Sequence, residues 1–186
     1  MNDLMRSVVE RVEEGGIRGV VLDVDDDSVV IRYEYGEPAE LEAQKKETSG
    51  EMPWYTIRAK NTDVLVRKLC RYCRNAGANP YILEQLEVFL ACTIPYLYHT
   101  YRAEDFVFAS LKKLARITKR EEGQSIFEKM MRCSIWVSKD QLLEYDRLYT
   151  PWMCQNLLSA LEDILEYLFC RYGTNQIQFE IREKRK

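Results

Sequence analysis

The stretch VVLDVDDDSVVIRYE, residues 20–34, places four aspartates between two runs of Val, Ile and Leu. A hairpin register can be tested across this acidic turn, because a slip of one residue would move every side chain to the opposite face. One register pairs only apolar residues on one face: Val24 with Val29, Leu22 with Ile31 and Val20 with Tyr33. On the other face it pairs Val21 with Arg32 and Gly19 with Glu34. The stretch therefore predicts two antiparallel strands joined by an acidic turn.

The aspartates can also be interpreted as metal ligands. Asp23, Asp25, Asp27 and Glu34 resemble the ligand pattern of the EF-hand calcium loop, with Ser28 where that loop has its turn glycine. The resemblance would imply a calcium site at these four residues. The loop also needs flanking helices, whereas the Val- and Ile-rich flanks here are typical of strands.

A second alternative is phosphotransfer. The segment GVVLDVDDDSVV resembles the first motif of the haloacid dehalogenase family, which would imply Asp23 as the nucleophile and Asp25 as the acid or base. Asp27 stands where that motif has Thr or Ser, and the predicted helices that follow do not supply the parallel sheet which the family requires. A nuclease of the D…E-x-K type would need a lysine two positions after Glu34, where Gly36 stands.

The favoured interpretation of the acidic turn is structural, because Asp is common in turns and its charge is solvated there. On this interpretation we expect no metal and no cofactor, with Asp23, Asp25, Asp27 and Glu34 kept as weak candidates for a metal site. Three environments stay open for the turn: water, the basic helices of the same chain, or the positive surface of a partner.

Further elements follow from periodicity. Residues 4–12 have the spacing of a short helix that Gly15 can end, and residues 36–53 have the composition of a polar connector. WYTIRAK, from Trp54, is a candidate strand, and NQIQFEIR, from Asn175, alternates as a strand does. We therefore predict an α+β fold, in which a small antiparallel sheet of the N-terminal hairpin and the C-terminal strand packs with a body of five or six helices. The predicted domains are residues 1–50, with the hairpin and connector, and residues 51–186, the mainly helical part.

The helical body is predicted in six segments. They are 63–75, a central helix from Pro80 that is broken or kinked at Pro95, about 104–119, 124–136, Ser138 to about 149, and Pro151–Arg171. No internal repeat is apparent.

Charge is distributed unevenly along the chain. The formal net charge is −8 over residues 1–51, +7 over 52–120 and −2 over 121–186. The positive third carries two basic stripes on predicted helices, Arg67, Lys68, Arg71 and Arg74 on one, and Lys112, Lys113, Arg116, Lys119 and Arg120 on the other. These stripes could follow a phosphate backbone, with Trp54, Tyr55 or Tyr101 for stacking. Alternatively they are solvated helix faces, neutralised by the acidic third, or a surface for a protein partner.

The cysteines and the single histidine give no complete catalytic set. Cys70 and Cys73 form a C-x-x-C pair without a second pair or a nearby histidine for zinc, so two reduced thiols on a helix are favoured. Cys92 and His99 lie about two helical turns apart with Pro95 between them, which disfavours a nucleophile pair.

The remaining expectations are broad. The start of the sequence carries charges where a signal peptide is apolar, and the most apolar segment is too short to span a bilayer, so we expect a cytoplasmic protein without membrane contact. The favoured function is a non-enzymatic regulatory or interaction protein that binds a protein partner through charged and tyrosine-rich surfaces, with self-association as a further possibility. The alternatives are nucleic-acid binding by the two stripes and, less favoured, a metal-dependent phosphotransferase or hydrolase at Asp23–Asp27.

Overall fold

The computed structural model describes residues 6–8, 10–11, 16–35, 54–116, 130, 137–148, 151–169 and 177–183. Its strands are β1 (Ile17–Val24), β2 (Val29–Tyr35), β3 (Trp54–Ala59) and β4 (Ile177–Ile181). Its helices are α1 (Thr62–Asn75), α2 (Pro80–Thr100), α3 (Phe108–Arg116), α4 (Lys139–Leu148) and α5 (Pro151–Phe169), with a 3-10 turn at Ala103–Asp105. Residues 6–8 and 10–11 are also helical. The α+β class is confirmed.

The hairpin has the register that its sequence predicts. Val24 pairs with Val29, Leu22 with Ile31, Val20 with Tyr33, Val21 with Arg32 and Gly19 with Glu34. Its turn is closed where the Asp25 N–H donates to the Ser28 carbonyl at 3.0 Å. A bulge follows between Ile17 and Gly19.

The sheet is mixed, which corrects the expectation of an antiparallel one. Its strand order is β2-β1-β3-β4, and β3 and β4 both run parallel to β1. A tight turn forces β2 to run antiparallel to β1, whereas a parallel strand needs a connection of at least a dozen residues. Residues 36–53 before β3 and the helical body before β4 are both long enough, so the direction of these strands is not set locally.

The two faces of the sheet differ in composition. The apolar face carries the side chains that the hairpin register selects, continued by Tyr55, Ile57, Ile177 and Phe179, and it packs against the helices. The polar face carries Asp23, Arg58 and Glu180 in one row across β1, β3 and β4. The main core therefore lies between the apolar face and the helical body.

Helices α1 and α2 begin where local signals place them, whereas the helix predicted from about residue 104 begins at Phe108. Asn61 caps α1, its side-chain oxygen accepting the Val64 N–H at 2.9 Å, and Asn79 with Pro80 begins α2. Gly77, at φ +93°, turns the chain between these helices. Of the two alternatives at Pro95, the break is wrong, because α2 continues through that residue to Thr100, and the kink stays a prediction. Pro95 lies in the buried stretch of α2, where tertiary packing offsets the hydrogen bond that its ring removes.

The two edges of the sheet are finished differently. At the β4 edge the Phe179 N–H donates to the Phe106 carbonyl at 2.9 Å, and Val107 bridges Gln178. Among the described residues nothing pairs with the outer side of β2. The sheet thus has a covered edge at β4 and an open edge at β2 in the described part of the chain.

Several predictions lie outside the described residues. They are most of the helix at 4–12, Gly15 and the connector at 36–53, the domain boundary near residue 50, most of the helix at 124–136, and the ends of the helices predicted to residues 119, 149 and 171. Within the described residues, no helix combines the length and apolar character needed to cross a bilayer.

Candidate functional site

Three parallel strands bring charged residues together at the end of the sheet where their carboxyl ends lie. Val24, Ala59 and Ile181 are aligned at the carboxyl ends of β1, β3 and β4. The chain continues into Asp25 from β1, Lys60 from β3 and Arg182 from β4. Parallel sheets commonly bind ligands at the carboxyl ends of their strands, so a ligand site here would depend on whether these charged groups already have partners.

Asp26, at the tip of the hairpin, is held by the basic stripe of α1. The Arg67 guanidinium donates to Asp26 Oδ1 from Nε at 2.8 Å and from Nη2 at 2.6 Å. The backbone carbonyl of Asp26 accepts bonds from Arg71 Nη1 at 2.8 Å and from Lys68 Nζ at 3.3 Å. Through Asp26, the acidic turn therefore lies against the basic helix of its own chain, which is one of the three environments left open by the sequence.

The ammonium group of Lys68 is buried in this arrangement, which disfavours its charged form. Its side chain is 4% exposed, and burial lowers its pKa, with the nearby Arg71 charge acting in the same direction. The carboxylates of Asp26, Asp27 and Asp25 oppose that shift. The acidic turn is thus what makes a buried ammonium tolerable at this position.

Asp23 lies beneath the turn between two arginines. Its side chain is 8% exposed, with Arg32 Nη2 at 3.3 Å from Oδ2 and Arg182 Nη1 at 3.6 Å from Oδ1. The second distance is too long for a hydrogen bond, and Oδ1 has no such partner within the described structure. Arg182 also donates to Asp25 Oδ1 at 2.8 Å. Two arginines from opposite edges of the sheet therefore neutralise the carboxylates that were candidates for chemistry.

This arrangement does not fit the calcium-loop interpretation, while phosphotransfer at Asp23 and Asp25 stays an untested prediction. Glu34 pairs with Gly19, four residues along β1 from Asp23, which separates the two by about 13 Å of strand. A calcium loop would need them around one ion. Among the described residues, no group of three Asp, Glu, His or Cys side chains could hold a metal ion.

The second basic stripe is not a continuous free surface either. Lys112 on α3 is 14% exposed and forms an ion pair with Glu162 of α5. Lys113 and Arg116 on α3, like Arg74 on α1, are solvent-exposed or partly so, and Lys119 and Arg120 lie outside the described residues. Three of the four stripe residues on α1 already contact Asp26 and would have to leave it to bind a phosphate. Binding of nucleic acid by the two stripes stays a prediction.

Of the stacking residues proposed for nucleic acid, Tyr55 and Tyr101 have side chains that the structure describes, and both are at least partly buried. Tyr55 is 2% exposed, and Tyr101 is half-buried, with its ring 5.9 Å from that of Tyr96. Among the residues whose side chains are described, the large exposed tyrosines are Tyr35 on β2 and Tyr81 on α2. Neither Tyr55 nor Tyr101 therefore offers an open ring face beside the basic stripes.

Three described cysteines lie in surroundings that disfavour the thiolate. Burial raises the pKa of Cys70 to about 12 and that of Cys73 to about 11. Cys92 is shifted in the same way, to about 12, and its Sγ donates to the Gln141 carbonyl at 3.5 Å. The thiolate is the reactive form of cysteine, so these groups suit the core and not nucleophilic or redox chemistry.

A small depression lies on the polar face of the sheet. It has a volume of about 250 Å³ and is lined by Gly19, Glu34, Thr56 and Gln178 among others. The Gln178 amide already donates to the Thr56 hydroxyl at 2.7 Å. Ligand pockets commonly have volumes of ~300–1,000 Å³, so this depression is below the usual size.

The open edge at β2 is the feature that sequence reasoning missed. None of its residues is buried, and Val30 and Tyr35 are 51% and 62% exposed. Since Asp25 and Ser28 form a hydrogen-bonded pair, alternation along the ladder directs the peptide groups of Val30, Arg32 and Glu34 toward β1. The peptide groups of the alternate residues, Val29, Ile31, Tyr33 and Tyr35, point outward. The hairpin was visible in the sequence, but which of its strands forms an edge depends on where β3 pairs.

Comparisons with family models, with curated proteins and with solved structures found no significant match to this chain.

Proposed function

We propose that this protein is a non-enzymatic interaction protein that binds a protein partner by adding a strand to the open edge at β2. The observation that carries the proposal is the outward row of peptide groups on a strand with no buried residue. Such an edge is a template for a further strand, whose main-chain bonds provide affinity and whose alternate side chains provide specificity.

The composition of β2 supports this role. Edge strands that avoid pairing are commonly protected by charged side chains, especially lysine, by proline or by a bulge. The sequence of β2, VVIRYEY, contains neither proline nor lysine, its two charged residues have opposite signs, and the bulge lies in β1. Exposed Val30 and Tyr35 add apolar area that a partner strand could cover.

The charged groups outside β2 also favour this proposal over a metal or phosphate site. The acidic turn and the stripe on α1 neutralise each other, and the Asp23 carboxylate lies between two arginines. Groups that are already paired must lose those partners before they can bind a metal or a phosphate, which costs free energy. The outward peptide groups of β2 have no such competing partner among the described residues.

A displayed library of nine-residue peptides, selected on the immobilised protein, tests the proposal. We expect enrichment of extended sequences that alternate apolar with charged residues, and loss of their binding in the variant Ile31→Pro. Proline at residue 31 removes an outward N–H and leaves the bonds to β1 in place. Ile31→Val is the matched control and should bind as the wild type does.

Two results would contradict the proposal. One is a selection that enriches no peptide above an unrelated protein of similar charge. The other is peptide binding that Ile31→Pro leaves unchanged while its melting temperature matches that of Ile31→Val, because the peptides would then bind elsewhere.

A further inference from the structure

The open edge at β2 is complementary to itself in one antiparallel register. With Tyr33 of one copy opposite Tyr33 of a second copy, Arg32 of each chain faces Glu34 of the other. Opposite charges in directly facing positions stabilise a strand pair, and like charges destabilise it. We infer that the partner of this edge is a second copy of the chain, paired antiparallel about Tyr33. This inference rests on the proposed function and names its partner.

The neighbouring registers are disfavoured by the same charges. Centring the pair on Arg32 brings two guanidinium groups face to face, and centring it on Glu34 does the same with two carboxylates. The Tyr33 register is thus the one of these three in which both charged residues of the strand find an opposite charge.

The hydrogen-bonding pattern agrees with the register. Ile31, Tyr33 and Tyr35 are residues whose peptide groups point outward from the hairpin, by alternation from the pair Asp25 and Ser28. In the Tyr33 register these residues face one another, Tyr33 with Tyr33 and Ile31 with Tyr35, and form hydrogen-bonded pairs. Arg32 and Glu34 then occupy the non-hydrogen-bonded pairs, where side chains approach most closely.

The resulting dimer would have one continuous sheet. The strand order would be β4-β3-β1-β2 followed by the same order reversed in the second copy. The two-fold axis is perpendicular to the sheet, so both helical bodies lie on the same side. Pairing over residues 31–35 alone covers less than the ~1,200 Å² that stable complexes bury, so we expect weak association that appears at high protein concentration.

Cysteine crosslinking of the full chain tests both the partner and the register. Cα atoms in a non-hydrogen-bonded antiparallel pair are ~4.5 Å apart, a separation that a disulfide can span. An equimolar mixture of Arg32→Cys and Glu34→Cys chains, oxidised mildly at high concentration, should give a disulfide-linked dimer in roughly tenfold or greater excess over either variant alone, because pairing raises the local thiol concentration.

Two controls accompany this mixture. Glu180→Cys lies on the polar face of the covered strand β4 and is comparably exposed, with 49% for Glu180 and 63% for Arg32. Mixed with Arg32→Cys, it reports random collision and should give only background dimer. The wild type, oxidised alone, reports any contribution of the native cysteines.

A second pair of cysteine variants leaves Arg32 and its ion pair with Asp23 in place. Ile31→Cys mixed with Tyr35→Cys tests the flanking position of the same register, and it should crosslink as well. Thermal melting of each variant shows which of the two mixtures is folded and therefore decides the result.

The outcomes separate this inference from the proposed function. Crosslinking of Arg32→Cys alone, equal to that of the mixture, would show Arg32 opposite Arg32 and overturn the register. Mixtures that crosslink no more than the Glu180→Cys control would overturn the second copy as the partner. In that case peptides whose binding is lost in Ile31→Pro would still support strand addition, whereas peptide binding that Ile31→Pro leaves intact would contradict the proposed function itself.

Discussion

The two edges of the sheet differ in whether their outward peptide groups have hydrogen-bond partners. At β4, Phe106 accepts the outward N–H of Phe179, and the rings of Phe106 and Phe108 pack 5.3 and 6.0 Å from the Phe179 ring. At β2, alternate peptide groups point outward, and no described residue pairs with them. Because an unpaired peptide edge favours the addition of a strand, this difference is the basis of our proposal that a further strand adds at β2.

The largest expected effect tests how much the covered edge contributes to stability. Phe179→Ala removes a ring that is 4% exposed and should lower the free energy of unfolding by about 3–5 kcal/mol, through lost transfer energy and a cavity. The matched change on the open edge is Val30→Ala, at a side chain that is 51% exposed, and it should cost less than about 0.5 kcal/mol. Urea unfolding measures both, and equal losses would remove the contrast between the edges.

Asp23 connects the two edges, because Arg32 reaches it from β2 and Arg182 from the end of β4. Asp23→Asn keeps the shape and removes the charge, and we expect a loss of about 1–2 kcal/mol, limited by the solvent access of both arginines. Asp27→Asn, at an exposed position of the same turn, is the control and should be nearly neutral. A loss of equal size in both variants would show that the turn responds to total charge and not to this contact.

The buried thiol of Cys73 on α1 should make the free energy of unfolding depend on pH. Because burial raises the pKa of Cys73 to about 11, the unfolded chain releases this proton first as the pH rises above 9.0, the ordinary value. Stability should therefore fall between about pH 8 and pH 10, by about 1 kcal/mol for such a thiol. Cys73→Ala should reduce the slope over that interval in urea unfolding, and an unchanged slope would contradict this assignment.

The smallest expected effect concerns the contact that fixes the tip of the hairpin. Asp26→Asn weakens its ion pair with Arg67, in which both side chains are more than half exposed, so we expect a loss of about 0.5 kcal/mol. The difference from wild type should diminish in high salt, because exposed charges are screened. The bonds from Arg71 and Lys68 to the backbone carbonyl persist in this variant. A loss that is independent of salt would contradict an electrostatic origin.

Local patterns predicted much of the fold. The register of the hairpin, the strands at Trp54 and Ile177, and the starts of α1 and α2 follow from alternation and capping signals that involve neighbouring residues. The continuity of α2 through Pro95 was not predicted, because propensity counts the lost hydrogen bond but not the packing of a buried helix. For the candidate site, the sequence revealed the acidic turn and the basic stripe as separate features, while their contact spans more than forty residues of chain.

The sequence by itself therefore determined which residues pair across the hairpin and which of its faces is apolar. Tertiary structure decided that β3 lies beside β1 and parallel to it, which buries β1 and leaves β2 at the edge. The physical reason is the length of the connections. A tight turn transmits direction and register from one strand to the next, whereas the segments before β3 and β4 are long enough to allow either direction, so only the packing of the whole chain selects one.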